Sequence, residues 1–236
     1  MAAKKKLQST AKAAKGAKKT AAKKAPAKKA PAKKTRPRSL ARYDEKRDFG
    51  QTAEPSGEAR APKSARLRFV IQKHAASHLH FDWRLELDGV MKSWAVPKGP
   101  SLAPGVRRLA MEVEDHPIAY NTFEGTIPKG QYGGGTVMLW DQGTYEPTDG
   151  GGEAALRRGY EKGKLDITLH GVRLGGAWTL VRTRGEGERA QWLLIKRSDA
   201  YASATIDAVA VVTTSVVSGM TMEELAEGGR VWESNR

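Results

Sequence analysis

The stretch "HLHFDWRLELDGVMKSWAV", His78–Val96, decides the fold. Its first ten residues alternate with a period of two. Successive side chains of a strand point to opposite faces, so Phe81, Trp83, Leu85 and Leu87 share one face while His78, His80, Asp82, Arg84 and Glu86 share the other. Asp88-Gly89 is a hairpin turn signal, and "VMKSWAV" comes after it as the next strand. One sheet face is therefore built for a core. The other carries imidazole, carboxylate and guanidinium in a row.

The same pattern extends outward. "RLRFVIQKH" (66–74) is rich in β-formers and precedes the opening strand. "RRLAMEVEDH" (107–116) alternates again, and the reading places Leu109, Met111 and Val113 inward, with Arg108, Glu112, Glu114 and His116 opposite. "TVMLWDQGTYEP" (136–147), "KLDITLHG" (164–171), "GAWTLVRT" (176–183) and "AQWLLIKR" (190–197) complete the strands. "PKGPSLAPG" and "GTIPKGQYGGG" read as loops. "GGEAALRRG" is a short helix ended by Gly159, and "TMEELAEGG" is another that opens on a capping box, Thr221 to Glu224. About eight short strands and two brief helices predict a mainly β protein, a closed or nearly closed antiparallel β-barrel. The glycines at 133–135 fit neither a Rossmann nor a P-loop pattern.

The chain divides into four segments. Residues 1–38 form a low-complexity Lys/Ala/Pro tail with 13 Lys, 2 Arg and no acid, expected to be disordered. Residues 39–66 are a polar, Gly/Pro-rich extended arm, 67–200 the barrel core, and 201–236 a C-terminal extension. The net charge of +15 equals that of the tail, so the remainder is formally neutral. A polycation without an apolar anchor points to nucleic acid rather than to a membrane surface, with a plain solubility tail as the bland alternative. Without an 18-residue apolar run or a signal peptide, the expectation is a soluble cytoplasmic protein, without a membrane partner and associated with the nucleoid. The chain has no Cys, so a metal here would be held by His, carboxylate or water.

His80 and Asp82, two residues apart on one face, can converge on an ion, and His74 reaches it if "AASHL" turns the chain back. Two His and one carboxylate with open positions suit Mn, Fe or Zn. Arg84 beside them is a fork matched to phosphate. Metal plus arginine on one wall suits phosphoester hydrolysis. His116 fits a general acid or base or a phosphate donor, and Tyr120 a hydrogen-bond donor to an oxyanion. Each has a bland counterpart: a solvated polar strand face, a turn cap, a packing residue. His170 reads as structural.

"FVIQKHAASHLHFDWRLELDGVMKSWAVPKGPS" (69–101), "EDHPIAY" (114–120), "FEGTIPKGQYGGGTVMLWDQGTYEP" (123–147) and "WLLIKR" (192–197) closely resemble the 3′-phosphoesterase domain of bacterial DNA ligase D. The arm "YDEKRDFGQTAEP" and the C-terminal "SVVSGMTMEELAEGGRVWESNR" resemble the segments flanking it. The resemblance implies the free-standing form of that enzyme. It would be a Mn(II)-dependent hydrolase of DNA 3′ ends on duplex primer-templates, with Co(II) or Zn(II) as substitutes. It would remove a 3′-terminal ribonucleoside and then the 3′-phosphate. The metal ligands would be His74, His80 and Asp82; Arg84 would contact the scissile phosphate; His116 and Tyr120 would be needed for activity. Gln72, Lys98, Arg108 and Glu114 would bind substrate or support the site, and Arg47, Asp48 and Glu54 of the arm would assist ribonucleotide removal. His78 falls on a variable position of the pattern. The resemblance also implies a monomer working with a Ku-type end binder and a ligase or polymerase. Two other readings compete: a non-catalytic DNA-binding module acting through its tail, and a cupin-like metalloenzyme for small molecules. Deleting residues 1–38 is expected to weaken DNA binding and flatten its salt dependence without altering metal binding, as fluorescence-anisotropy titrations at several salt concentrations would show.

Overall fold

The computed structural model describes residues 40–59, 61–62 and 64–228. The tail and the last eight residues, with the expectations attached to them, lie outside the described residues. Strands β1 (Leu67–Ala75), β2 (Leu79–Leu87), β3 (Val90–Val96) and β4 (Arg107–His116) run as antiparallel neighbours. β5 (Gly125–Ile127), β6 (Gly135–Pro147), β7 (Lys164–Gly171), β8 (Gly175–Arg184) and β9 (Gln191–Lys196) come next in the chain. Pairing runs β1-β2-β3-β4-β9-β8-β7-β6, and β6 returns to β1. Eight strands thus close an antiparallel barrel, with β5 added beside the start of β6. Closure leaves these eight without a free edge.

The alternation in β2 works as its period demands. Phe81, Trp83, Leu85 and Leu87 point into the barrel, where Trp83, Trp94, Trp140, Trp178 and Trp192 are all fully buried. Their rings meet at angles: Trp83 and Trp178 lie 5.3 Å apart between centroids, Trp94 and Trp192 5.6 Å. The β2–β3 turn is Asp88-Gly89, both at positive φ, as the sequence signal requires.

The β4 reading is corrected. Paired residues of an antiparallel ladder share a face, and Ser93 pairs with Val113, Ala95 with Met111. Both partners stand opposite Arg84 and Asp82 of β2, so Leu109, Met111 and Val113 lie on the outer wall, and Leu109 is 43% exposed. Ala110 and Glu112 turn inward instead; Glu112 accepts from Trp192 Nε1 at 2.8 Å and from the Tyr160 hydroxyl. The register then slips, because Met91 pairs with His116. One extra residue in β4 makes a bulge, and a bulge re-aims the side chains beyond it. His116 thereby joins the outer face that Arg84 occupies.

Smaller corrections concern the helices and the arm. The first predicted helix runs from Gly152 to Lys162, through Gly159, and ends at Gly163 with φ 78°. It is α2, because the arm contains α1 (Ala41–Glu45). The arm is not free: Leu40 and Tyr43 are buried with Val90, Tyr120, Phe123, Ile127 and Val137, and they roof the outer face of the barrel wall. α3 (Ala208–Val211) and α4 (Met222–Ala226) lie in the C-terminal extension, and α4 has the capping box expected at Thr221 and Glu224. Among the described residues, no helix is long and apolar enough to cross a membrane.

Gly135 shows how tightly β6 holds the end of β1. Its φ is +147°, and an added Cβ would lie 2.2 Å from the backbone oxygen of Ala75, next to His74. Backbone cannot yield as a flexible side chain does, so Gly135→Ala is expected to cost more than about 2 kcal/mol of stability. Urea unfolding monitored by tryptophan fluorescence reads this directly.

Candidate active site

Antiparallel pairing of β1 with β2 sets Gln72 opposite Asp82, His74 opposite His80 and Val70 opposite Arg84. The polar side chains of both strands therefore share the outer wall. Residues 117–134 and the arm cover that wall, so Gln72, His74, Asp82, Arg84, Ser93, Glu114, His116 and Glu54 are buried. Buried polar groups must find partners, and these do.

His74, His80 and Asp82 bring one donor atom each within 4.8 Å of the others. His74 Nδ1 lies 3.5 Å from Asp82 Oδ2, and His80 Nε2 lies 3.7 Å from Asp82 Oδ1. The remaining ring nitrogens are tied to backbone carbonyls: His74 Nε2 to Gly133 at 2.9 Å, His80 Nδ1 to His78 at 2.9 Å. A carbonyl accepts only, so each tied nitrogen carries the proton and donates. In a neutral ring with that tautomer, the nitrogen facing Asp82 has a free lone pair. Metal-ligating histidines are commonly oriented this way. Two imidazoles and a carboxylate suit a divalent transition metal, so the donor set fits one. His78 contributes its carbonyl, and its side chain is exposed.

Arg84 is the second element. Nε donates to Gln72 Oε1 at 2.8 Å, Nη1 to Ser93 Oγ at 2.9 Å and Nη2 to Asp82 Oδ2 at 3.0 Å. Gln72 is itself fixed by donating to the carbonyls of Tyr120 and Phe123. A guanidinium has five N–H donors, so one on each terminal nitrogen remains, a fork suited to a phosphate. Burial opposes ionisation of Asp82, yet the Arg84 cation beside it holds its carboxyl well below the usual carboxylate range.

His116 is the third. Its Nδ1 donates to the Glu114 carbonyl at 2.9 Å, and Nε2 accepts from Arg47 Nη2 at 3.3 Å. Burial, then the Arg84 and Arg47 cations, hold its pKa well below the ordinary histidine value, so the ring is neutral at pH 7. Tyr120 stacks its edge on His116 with centroids 5.0 Å apart, and the Arg84 guanidinium lies 5.0 Å from its ring. Burial, then the charge of Glu54, push its phenol well up, so it stays a donor.

The arm completes the site. Arg47 Nε donates to Glu54 Oε1 at 2.8 Å and Nη1 to Glu114 Oε1 at 3.3 Å. Glu54 also accepts from Thr52. Asp48 caps the turn at Gly50 and Gln51 and does not enter the cluster. Two other expected residues also stand apart. Arg108 lies on the inner side of β4 with its buried Nε unpartnered, and Lys98 is exposed in the turn after β3, at the barrel end near His80, bonded to none of these groups. His170 is exposed and pairs with Glu146.

Sequence reasoning missed four residues. Ser93 anchors Arg84, and only register could reveal it. Tyr43 is fully buried, edge-on to His116 at 5.0 Å. Lys46 donates to Glu114 at 2.9 Å, and Tyr132 donates to the same carboxylate at 3.3 Å. An aromatic inside "KGQYGGG", a loop of small and polar residues, was the available signal for Tyr132.

Residues 72–182 match the family described as the DNA Ligase D 3′-phosphoesterase domain. This segment belongs to that family. The matched span holds all the barrel-borne site residues, while the arm lies before it. Among curated relatives, the chain is 53% identical over 164 residues to the multifunctional non-homologous end joining protein LigD of Pseudomonas aeruginosa, which is 69% of this chain and 19% of the relative. It is 37% identical over 197 residues to the multifunctional non-homologous end joining DNA repair protein LigD of Mycobacterium tuberculosis, 84% of this chain and 25% of the relative. The chain thus spans a quarter or less of the length of these relatives.

The donor arrangement predicts that His74→Ala and His80→Ala each weaken divalent-metal binding more than about tenfold, while His78→Ala leaves it unchanged. Isothermal titration calorimetry with Mn(II) measures all three.

Proposed function

We propose that the protein is a Mn(II)-dependent phosphoesterase that heals DNA 3′ ends for end-joining repair. One observation carries the reading: Asp82 is shared between a metal-fitting pair of histidines and an arginine with two N–H groups to spare. The names of the relatives, end-joining repair proteins, support the substrate class.

On this reading a 3′-terminal ribonucleoside is removed first. Water adds to phosphorus, the bond to the ribonucleoside O5′ breaks, and a 3′-phosphate remains. A second hydrolysis breaks the bond from phosphorus to O3′, leaving a 3′-OH and free phosphate. His74, His80 and Asp82 would hold the metal, which supplies Lewis-acid withdrawal of charge from a phosphate oxygen. Arg84 grips two phosphate oxygens, and its anchoring by Gln72 and Ser93 means no reorganisation is needed as charge builds. His116 works through Nε2, since Nδ1 is committed to the Glu114 carbonyl. Burial, together with the Arg84 and Arg47 cations, keeps the ring neutral, and a phosphate dianion seated on Arg84 offsets the cationic part, so substrate itself brings His116 toward proton transfer. Tyr120 donates its phenolic hydrogen to an oxygen of the phosphate. Arg47 and Glu54 set the His116 side of the site, where ribonucleoside removal adds a group to be held. Partners would be a Ku-type end binder and a ligase or polymerase that uses the 3′-OH, in the cytoplasm near the nucleoid.

The test is conversion, with Mn(II), of a primer-template ending in one ribonucleotide or a 3′-phosphate, resolved on a denaturing gel. The protein is expected to yield 3′-OH ends, and His80→Ala and His116→Ala to lose activity by about a hundredfold or more. Arg47→Ala is expected to impair ribonucleoside removal more than 3′-phosphate removal. DNA binding without conversion by the parent protein would leave a non-catalytic module instead.

A further inference from the structure

Tyr132 is left over by the mechanism above, and its position is unusual. It sits in the loop between β5 and β6, and that loop is tied to both halves of the site. On the metal side, the carbonyl of the next residue, Gly133, accepts from His74 Nε2 at 2.9 Å. On the histidine side, the Tyr132 hydroxyl donates to Glu114 Oε2 at 3.3 Å, and Glu114 Oε1 accepts from Arg47, which bonds His116. The arm braces the same loop, because Gln131 Nε2 donates to Gln51 Oε1 at 2.9 Å. A loop held at so many points presents its aromatic ring in a fixed place.

Tyr132 is 45% exposed as a residue. Lys46 Nζ lies 4.9 Å and Arg47 Cζ 5.3 Å from its centroid, so cations cover part of it while the rest faces solvent. Holding Glu114 does not explain the exposed ring. Glu114 already accepts from Lys46 and Arg47, and the tether uses only the hydroxyl. An exposed aromatic beside an arginine fork that fits phosphate is how proteins hold an unpaired or terminal nucleobase, by stacking on its π-face.

We propose that Tyr132 is the stacking platform for the base of the terminal nucleotide whose 3′-phosphate is processed, and so a substrate-selecting residue. This rests on the phosphoesterase reading. It adds that the site recognises a nucleoside as well as a phosphate, and prefers ends that carry a base.

The experiment compares two primer-template ends, each bearing a 3′-phosphate, one on an ordinary terminal nucleotide and one on a base-less terminal nucleotide. kcat and KM are measured with Mn(II) for the wild-type protein, Tyr132→Phe and Tyr132→Leu. Stacking corresponds to roughly a fivefold to hundredfold difference, so the wild type is expected to favour the ordinary end by that factor, chiefly through KM. Tyr132→Phe, which keeps the ring and loses the hydroxyl, retains the preference. Tyr132→Leu brings the ratio close to one. Equal use of both ends by the wild type overturns the inference and leaves the phosphoesterase reading standing. So does a preference that survives in Tyr132→Leu, since a strut for Glu114 would slow both ends alike. Conversion of neither end by the wild type overturns both.

Discussion

The buried guanidinium of Arg84 is the constraint on which the site depends. A charge taken out of water is costly unless paired and hydrogen-bonded, and one left without its partners destabilises by several kcal/mol. Arg84 meets this with three anchors from three strands: Gln72 on β1, Asp82 on β2 and Ser93 on β3. Each anchor in turn fixes something else. Gln72 holds the carbonyls of Tyr120 and Phe123, Asp82 faces both histidines, and Ser93 donates to the Met91 carbonyl. A single cation therefore sets the geometry of the metal-fitting cluster and of the covering turn.

The barrel makes that burial possible by putting the polar wall outside and the tryptophans inside. The wall would be solvated if nothing covered it. Tyr43, Tyr120, Phe123 and Ile127 supply an apolar roof, anchored on Val90 and Val137. The arm is thus part of the site's architecture: Tyr43 packs on His116, and Arg47 reaches beneath to its Nε2. The Tyr43 hydroxyl is satisfied by the Pro55 carbonyl, which folds the rest of the arm back over the site.

Much of this was legible in the residues. The period of two in β2 fixes both faces, and the His/Asp spacing brings the three ligand candidates together once β1 and β2 form a hairpin. The Asp88-Gly89 turn was equally plain. The β4 faces were not, because a bulge leaves no mark in a period count. Leu109, Met111 and Val113 look like a core stripe, whereas the core takes Ala110 and the hydrogen-bonded Glu112. The arm misled for a related reason. Its composition is polar, but Leu40 and Tyr43 are buried with Phe49 and Ala53 packed beside them, and Glu54, Arg47 and Lys46 direct much of its remaining polarity into the site. Arg108 and Lys98, carried over by resemblance, lie on the inner side of β4 and in the exposed turn after β3, and neither is bonded to the clustered groups.

Charge counting joins the halves of the site. Arg84, Arg47 and Lys46 are balanced by Asp82, Glu54 and Glu114, which interlock through ion pairs. The cluster is therefore formally neutral as it stands. A phosphate monoester brings close to two negative charges at neutral pH. In a buried site that excess would be repelled by three carboxylates nearly as much as attracted by three cations. A divalent ion on His74, His80 and Asp82 changes the sum by two and matches the dianion. Arg84 alone cannot do this, because Asp82 already neutralises it. On the proposed reading, metal and phosphate are thus coupled ligands: each lowers the electrostatic cost of the other. The shared carboxylate of Asp82 is the atom group through which that coupling passes.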